Sequence, residues 1–282
     1  MVCITAMFAL VKLAGEHGAS VFETLFFRQL AGVCILIPWA LAGPGLGALK
    51  TNRKWHHAAR AGVGLVGMGL NFWSYTLLPL AEATTIGFMV PIFATLLSIL
   101  LLSEVVGLPR WSAIVIGFVG ILIVIRPGTG HMPPIGVAVA LSGACVTAWV
   151  SIIIRKLGTT ERATTTVFWF SLASMPPLTL LMLAYAQPHP PIVWLIFAGI
   201  GLSGTLAQLA LTTSLRLAPV SIVLPIDYLS LFGATFFGWA IWNDLPGPTT
   251  WIGAPLVIGS GLYIVWREHR SHRARRIAQT AL

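Results

Sequence analysis

The chain reads as an all-α integral membrane protein: ten transmembrane helices in two five-helix repeats of inverted topology. Three observations predict this. The first is composition, with 57% of the 282 residues hydrophobic, 9% charged and a mean hydropathy of +0.88, against about 25% charged in soluble domains. That much apolar surface needs lipid as its solvent. The second is a duplicated passage, in which Glu104, Gly107, Trp111 and Arg126 recur as Asp244, Gly247, Trp251 and Arg267 at offsets of 3, 7 and 22, then 3, 7 and 23. Chance would supply an acid, Gly and Trp at those offsets roughly 0.03 times, so two copies mark an internal repeat. The third is span number. A bilayer core of about 30 Å takes about 20 apolar residues at 1.5 Å rise, and the apolar runs number ten, five to each copy. Five is odd, so the second copy enters the membrane upside down.

The first run, 1–14, offers only about 21 Å of helix. Its Cys3-x-Thr5-Ala6 matches Cys145-x-Thr147-Ala148, yet the sixth run begins well before Cys145. The expectation is a first helix missing its beginning, through a shortened chain or a misplaced start codon. It lacks the basic start and cleavage site of a signal peptide. The second run, 22–42, carries Arg28 and stops at Gly43-Pro44-Gly45; the third, 58–78, stops at Leu78-Pro79. The fourth, 83–102, contains Pro91, which lacks an N–H and so breaks the helical ladder at Gly87. Pro127-Gly128 closes the fifth, 111–125, and Pro133-Pro134 opens the sixth, 135–154. Pro188-His189-Pro190-Pro191 separates the seventh, 164–186, from the eighth, 192–215. The ninth, 220–242, holds Pro225, and Pro246-Gly247-Pro248 precedes the tenth, 249–266. These breakers are the connections, and none is long enough for a soluble domain. The units are a first repeat at 1–126, a second at 135–267 and a basic tail at 268–282.

Charge placement sets the orientation. With a cytoplasmic N-terminus, fourteen of the 17 basic residues fall inside, Lys12 and Arg126 outside, and Arg28 within a span. Both termini then face the cytoplasm of a cell whose inner membrane the chain crosses repeatedly. The Arg267 to Arg276 cluster is an anchor for anionic headgroups. The net charge of +9 resides at span ends and in the tail, so no module presents it to nucleic acid.

Further residues resemble a known family. Leu80-Ala81-Glu82-Ala83-Thr84, the run from Pro91 to Leu97, Glu104, and the run from Gly117 to Val124 are similar to the EamA domain of the drug/metabolite transporter superfamily. So in the second copy are Leu217-Ala218-Pro219-Val220-Ser221, Asp227-Tyr228-Leu229, Asp244 and Gly259-Ser260-Gly261-Leu262-Tyr263. The resemblance covers nearly the whole chain. It implies ten helices in two inverted repeats, a central substrate cavity and secondary transport across the cytoplasmic membrane. Asp244 stands where the family usually has Glu.

An ionisable group inside a span costs about 2.5–3.5 kcal/mol on insertion scales, so each needs a reason to be there. Arg28 either anchors substrate or reaches outward to Glu23 or Glu82. Asp227 corresponds to Val90 in the first copy, and nearby Pro225 frees the carbonyl of Ser221. A carboxyl there can carry a proton or hold a cationic group, or it fixes packing by a hydrogen bond. Arg28 likewise corresponds to Phe170 at an offset of 142. Kinked spans four and nine are expected to face each other across the pseudo-twofold axis, where a midplane site is built. Trp73, Tyr75, Trp149, Trp169 and Tyr228 are candidates to line it, with Asn71, Gln208 and Thr212 as hydrogen-bonding groups, though any one aromatic is more often packing or lipid-facing. Trp111, Trp251 and Trp266 near span ends read as interfacial anchors. Gly62, Gly64, Gly67, Gly69, Gly199, Gly201 and Gly204 permit close helix contact. Glu104 and Asp244 hold helix junctions.

No Gly-rich phosphate loop ends in Gly-Lys-Ser or Gly-Lys-Thr, so the chain does not energise itself with a nucleotide. Cys3, Cys34 and Cys145 lie apart in apolar runs, which argues against zinc, redox catalysis or disulfides. His56 and His57 read as solvated. No cofactor and no metal are expected. The expected partners are the bilayer, a small-molecule substrate and, through Asp227, a coupled proton. The function class is a secondary carrier of a small organic metabolite with a planar part, or a multidrug exporter of toxic amphiphiles. The alternative is a membrane protein that transports nothing, an intramembrane enzyme or a scaffold.

Overall fold

The computed structural model describes the chain except residues 44, 52, 103–107, 128–131, 159–160, 218–226 and 281–282; at 46, 98, 101–102, 110, 155–156, 158, 215–217 and 268–280 it describes the backbone alone. Every regular element among the described residues is helical: α1 Val2–Glu16, α2 Val21–Ala42, a 3-10 turn Leu46–Leu49, α3 Lys54–Leu77, α4 Leu80–Gly87, α5 Val90–Leu102, α6 Leu108–Ile125, α7 Pro134–Gly158, α8 Ala163–Tyr185, α9 Pro191–Leu217, α10 Ser230–Trp242 and α11 Pro248–Thr280. Among the described residues, six stretches are long and apolar enough to cross a membrane: Val21–Ala42, Leu80–Leu97, Pro134–Ile154, Ala163–Tyr185, Pro191–Ser214 and Pro248–Arg267. Trp111–Ile125 and Ser230–Trp242 are shorter apolar helices. Glu104, Gly107 and Pro225 lie outside the described residues.

Local chemistry sets the breaks. α2 starts at a capping box, where Ser20 Oγ accepts from Glu23 N at 3.2 Å and Glu23 Oε2 accepts from Ser20 N at 2.7 Å. The apolar run from Leu80 to Leu102 is divided into α4 and α5. Phe88 N donates to Thr84 O and Thr85 O and Met89 N to Ile86 O, which tightens the chain before Pro91 enters the first turn of α5, where its missing N–H leaves no bond unmade. α10 ends on Asn243 at φ 53, with Asp244 N returning to Gly238 O at 3.1 Å, a left-handed cap that satisfies carbonyls of the last turn.

Helices pack in antiparallel pairs through small residues, as expected where lipid supplies no hydrophobic drive for helix association. A Cβ on Gly120 of α6 would lie 3.0 Å from the Gly253 carbonyl oxygen of α11, and one on Gly253 would lie 2.5 Å from that of Gly120. Farther back along α6, Gly117 meets Ser260, so numbering falls on one helix as it rises on the other. In the same sense Gly67 meets Val146 and Gly136 meets Leu78 between α3 and α7, while Gly199 meets Leu10 and Gly204 meets Met7 between α9 and α1. α2 packs against α8 and α9, and α3 also packs against α8. Gly64 and Gly201 make similar approaches, to Phe170 and Ala31; a Cβ on Gly69 would meet Leu25 only at an ordinary 3.6 Å, and nothing lies within 4 Å of one on Gly62.

Two sets of polar contacts lie at opposite ends. At one, Lys12 Nζ lies 4.9 Å above the Trp242 ring and Trp242 Nε1 donates to Glu16 at 2.5 Å. There too, Glu82 Oε1 accepts from Thr250 Oγ1 at 3.1 Å and Gly247 N at 3.4 Å. At the other, the turn Leu46–Leu49 leads to Thr51, which packs against the start of α8. Trp111, Trp251 and Trp266 are exposed at 45%, 53% and 52%, a placement that suits the membrane interface.

Candidate functional site

Between these ends, α2, α3, α8 and α9 enclose two arginines. Arg28 is 3% exposed and Arg60 1%. Their guanidinium carbons lie 5.6 and 4.0 Å from the centroid of the same ring, Phe170 on α8, and so within about 10 Å of each other, where like charges still repel. Glycines admit this arrangement. A Cβ on Gly64, one turn along α3 from Arg60, would lie 2.9 Å from Phe170 Cε2; one on Gly204 of α9 would lie 3.1 Å from Arg28 Nε.

Neither arginine has a carboxylate partner among the described residues. Arg28 Nη1 donates to Gln29 Oε1 at 2.6 Å, and Nη2 to Gly204 O at 3.4 Å and Gln208 Oε1 at 3.3 Å. Glu23 and Glu82, the expected alternatives, are taken up elsewhere: Glu23 by Ser20, Gln187 and His189, Glu82 by Gly247 and Thr250. Gln29 Oε1 also accepts from Ser171 Oγ at 3.2 Å. That leaves Arg28 Nε, Gln29 Nε2, and Arg60 Nε and Nη1 buried without a partner. Buried polar groups are nearly always satisfied, so four orphans in one place call for an explanation.

The other candidates distribute as follows. Asn71 Nδ2 donates to Thr147 Oγ1 at 2.9 Å, tying α3 to α7. Tyr75 is buried, stacked on Phe8 at 4.0 Å and 3.3 Å from Thr84 Oγ1. Thr212 Oγ1 turns back to Gln208 O at 2.7 Å. Trp169 Nε1 donates to Leu49 O at 2.8 Å at the edge of the Phe170 region. Tyr228, with a buried unpartnered hydroxyl, meets Phe88 at 4.9 Å beside the break between α4 and α5, and Pro91 approaches the same Gly261 that Tyr228 does. Asp227 is half-buried, its carbonyl accepting from Ser230 Oγ. Trp73 and Trp149 are exposed, at 43% and 47%, and neither makes a ring contact among the described residues. The structure thus joins Arg28, Gln208 and the Phe170 region; Tyr228 and Pro91 form a second group.

Two buried residues escape the sequence reading. Arg60 counts there as an interfacial cation and His57 as a solvated imidazole, yet His57 is 0% exposed. The missed signal is spacing. His57, Arg60, Ala61, Gly64 and Gly67 lie on one stripe of α3, and all are buried; a stripe whose glycines receive a neighbouring helix takes its polar members into the interior as well. No group of three or more metal-ligating side chains occurs among the described residues.

Apolar helices around an enclosed, charged centre define a multi-pass membrane protein with a polar site inside the bundle. The chain belongs to the EamA-like transporter family, whose model matches residues 1–126 and 134–266. It is 28% identical to an S-adenosylmethionine uptake transporter of Rickettsia prowazekii, over 92% of this chain and 87% of that one. It is 28% identical to a riboflavin transporter of Vibrio cholerae over 96% and 93%, and 31% identical to a riboflavin transporter of Rhizobium johnstonii over 81% and 76%. A crystal structure with 19% sequence identity matches it at a TM-score of 0.66, covering 95% of this chain and 96% of the other, which shows a shared fold.

Proposed function

We propose that this chain is a secondary carrier that moves a small organic metabolite across the inner membrane by alternating access, with both termini cytoplasmic. On this reading the helices form ten spans in two inverted repeats, α4 with α5 making the fourth and α10 ending the ninth. The relatives named for S-adenosylmethionine and riboflavin support a small metabolite, and both compounds contain a planar ring system. An intramembrane enzyme or a scaffold has no such support.

The observation that carries the mechanism is how contacts exchange between halves. If the fourth span counts as one, swapping the repeats turns α3 on α7 into α9 on α1, and α2 on α9 into α8 on α3, while α2 on α8 and α6 on α11 map onto themselves. Even Gly64 against Phe170 has its mate in Gly204 against Arg28. Two halves with equivalent contacts can trade conformations at similar energy, and alternating access requires this. Asp227, half-buried and next in sequence to Tyr228 of the second group, is the residue we assign to proton coupling.

Proteoliposomes loaded with a labelled metabolite panel, assayed with and without a pH gradient, test both claims. Saturable flux of at least one member is expected, with Asp227→Asn removing the stimulation by the gradient. No flux for any member counts against the carrier, and an unchanged gradient response in the variant removes Asp227 from the coupling role.

A further inference from the structure

We propose that Arg28 and Arg60, gathered against Phe170, form an anion-binding site, and that the transported solute is an organic carboxylate or phosphate whose planar part lies near that ring. This rests on the carrier reading and adds the substrate's charge to it.

The orphaned atoms around Phe170 share one property. Arg28 Nε, Gln29 Nε2, Arg60 Nε and Arg60 Nη1 are all donors, and Gln29 Oε1 is already occupied by Arg28 and Ser171. A ligand that satisfies them must be rich in acceptors, and carboxylates and phosphates are acceptor groups in geometries that match guanidinium forks. Charge makes the same demand. Arginine does not neutralise itself as buried lysine or histidine does, so two guanidiniums at 3% and 1% exposure need a counter-charge. No described acid supplies one: Glu161 and Glu23 lie within ion-pair distance of His57 and His189, and no described carboxylate lies that close to either arginine. The Phe170 face compensates one cation weakly and two poorly. The centre is therefore unfinished without an anion.

Repeat symmetry strengthens the point. Phe170 occupies the place in the second half that Arg28 has in the first, and on the offset relating Gly64 to Gly204 the mate of Arg60 is Ile200, fully buried. Scaffold residues recur between the halves; these two charges do not. A purely structural cation–π stack has no reason to concentrate two like charges where the repeats meet.

Binding to purified protein in neutral detergent, by equilibrium dialysis, tests this with matched pairs: nicotinate against nicotinamide, phenyl phosphate against phenol, and flavin mononucleotide against riboflavin. At least one anion should bind tenfold or more tighter than its neutral partner. Arg60→Met and Arg28→Met should bring that preference within twofold, while Arg60→Lys retains part of it and guards against a folding defect. Removing an unpaired buried charge should also leave the ligand-free Arg60→Met protein melting no lower than the parent. No charge preference in any pair, a preference that survives both variants, or a lower melting point in Arg60→Met overturns the site, as does stabilisation by phosphatidylglycerol with no soluble anion effective. Flux is measured separately. Anion binding without flux leaves the site and removes the carrier; flux indifferent to both arginines leaves the carrier and removes the site.

Discussion

The two ends of the α2 and α8 pair are built on one plan and closed to different degrees. Where α2 begins, Glu23, its side chain 1% exposed, accepts from Ser20 N at 2.7 Å, Gln187 N at 3.0 Å and His189 Nε2 at 2.9 Å, so the connection after α8 is pinned to the start of α2. At the opposite end, the connection after α2 meets the start of α8 in the same way. Glu161, 11% exposed, accepts from Thr51 Oγ1 at 2.8 Å, but His57 Nε2 stands 3.9 Å away, beyond hydrogen-bond reach. One end is a closed latch and the other a loose one. His57 is one turn from Arg60 on the buried stripe of α3, so the loose end lies next to the arginine centre.

The largest expected difference tests that comparison directly. Glu23→Ala strips the acceptor from three donors, and each buried group left unsatisfied costs about 1–3 kcal/mol, so a loss of about 3 kcal/mol or more is expected. Glu161→Ala should cost about 1 kcal/mol, the worth of one ordinary hydrogen bond. Thermal unfolding of both variants in one detergent measures this, and costs equal within about 0.5 kcal/mol would mean that the two latches are equally closed.

A smaller effect is expected at the capping box. Ser20→Ala removes the Oγ acceptor for Glu23 N but leaves the Glu23 carboxylate its other donors, so the cost should be about 1 kcal/mol. α8 provides the contrast, because it begins after Arg162 with no side-chain cap, and Arg162→Ala should leave unfolding unchanged. A clear loss in Arg162→Ala would place a hidden constraint at the loose end.

How much of this was legible in the sequence differs from residue to residue. The membrane class, the proline-marked connections and the family followed from composition, breakers and motif, because each acts within a few residues of itself. Arg28 stood out as a charge inside an apolar run. Arg60 and His57 did not, since position near a helix start says nothing about whether another helix covers it; Phe170 and the start of α8 do so from more than a hundred residues away. The four orphaned donors were equally unreadable, because satisfaction depends on what other helices bring. Trp73 and Trp149 illustrate the converse, as residue type alone made them lining candidates and only packing shows them exposed.

The finest comparison is between the two latch histidines. His189 donates into a buried carboxylate, so His189→Phe takes away a charge-assisted bond and leaves Glu23 one partner short; about 1–3 kcal/mol should be lost. His57 is fully buried with neither ring nitrogen hydrogen-bonded, and its ring lies 6.2 Å from that of Trp169. Replacing a buried polar ring that makes no bond with an apolar ring of similar shape is close to neutral, so His57→Phe should change stability by less than about 0.5 kcal/mol and could raise it. Equal destabilisation by the two substitutions would show that His57 makes a bond which the 3.9 Å separation denies, and the loose end would then be as tightly held as its counterpart.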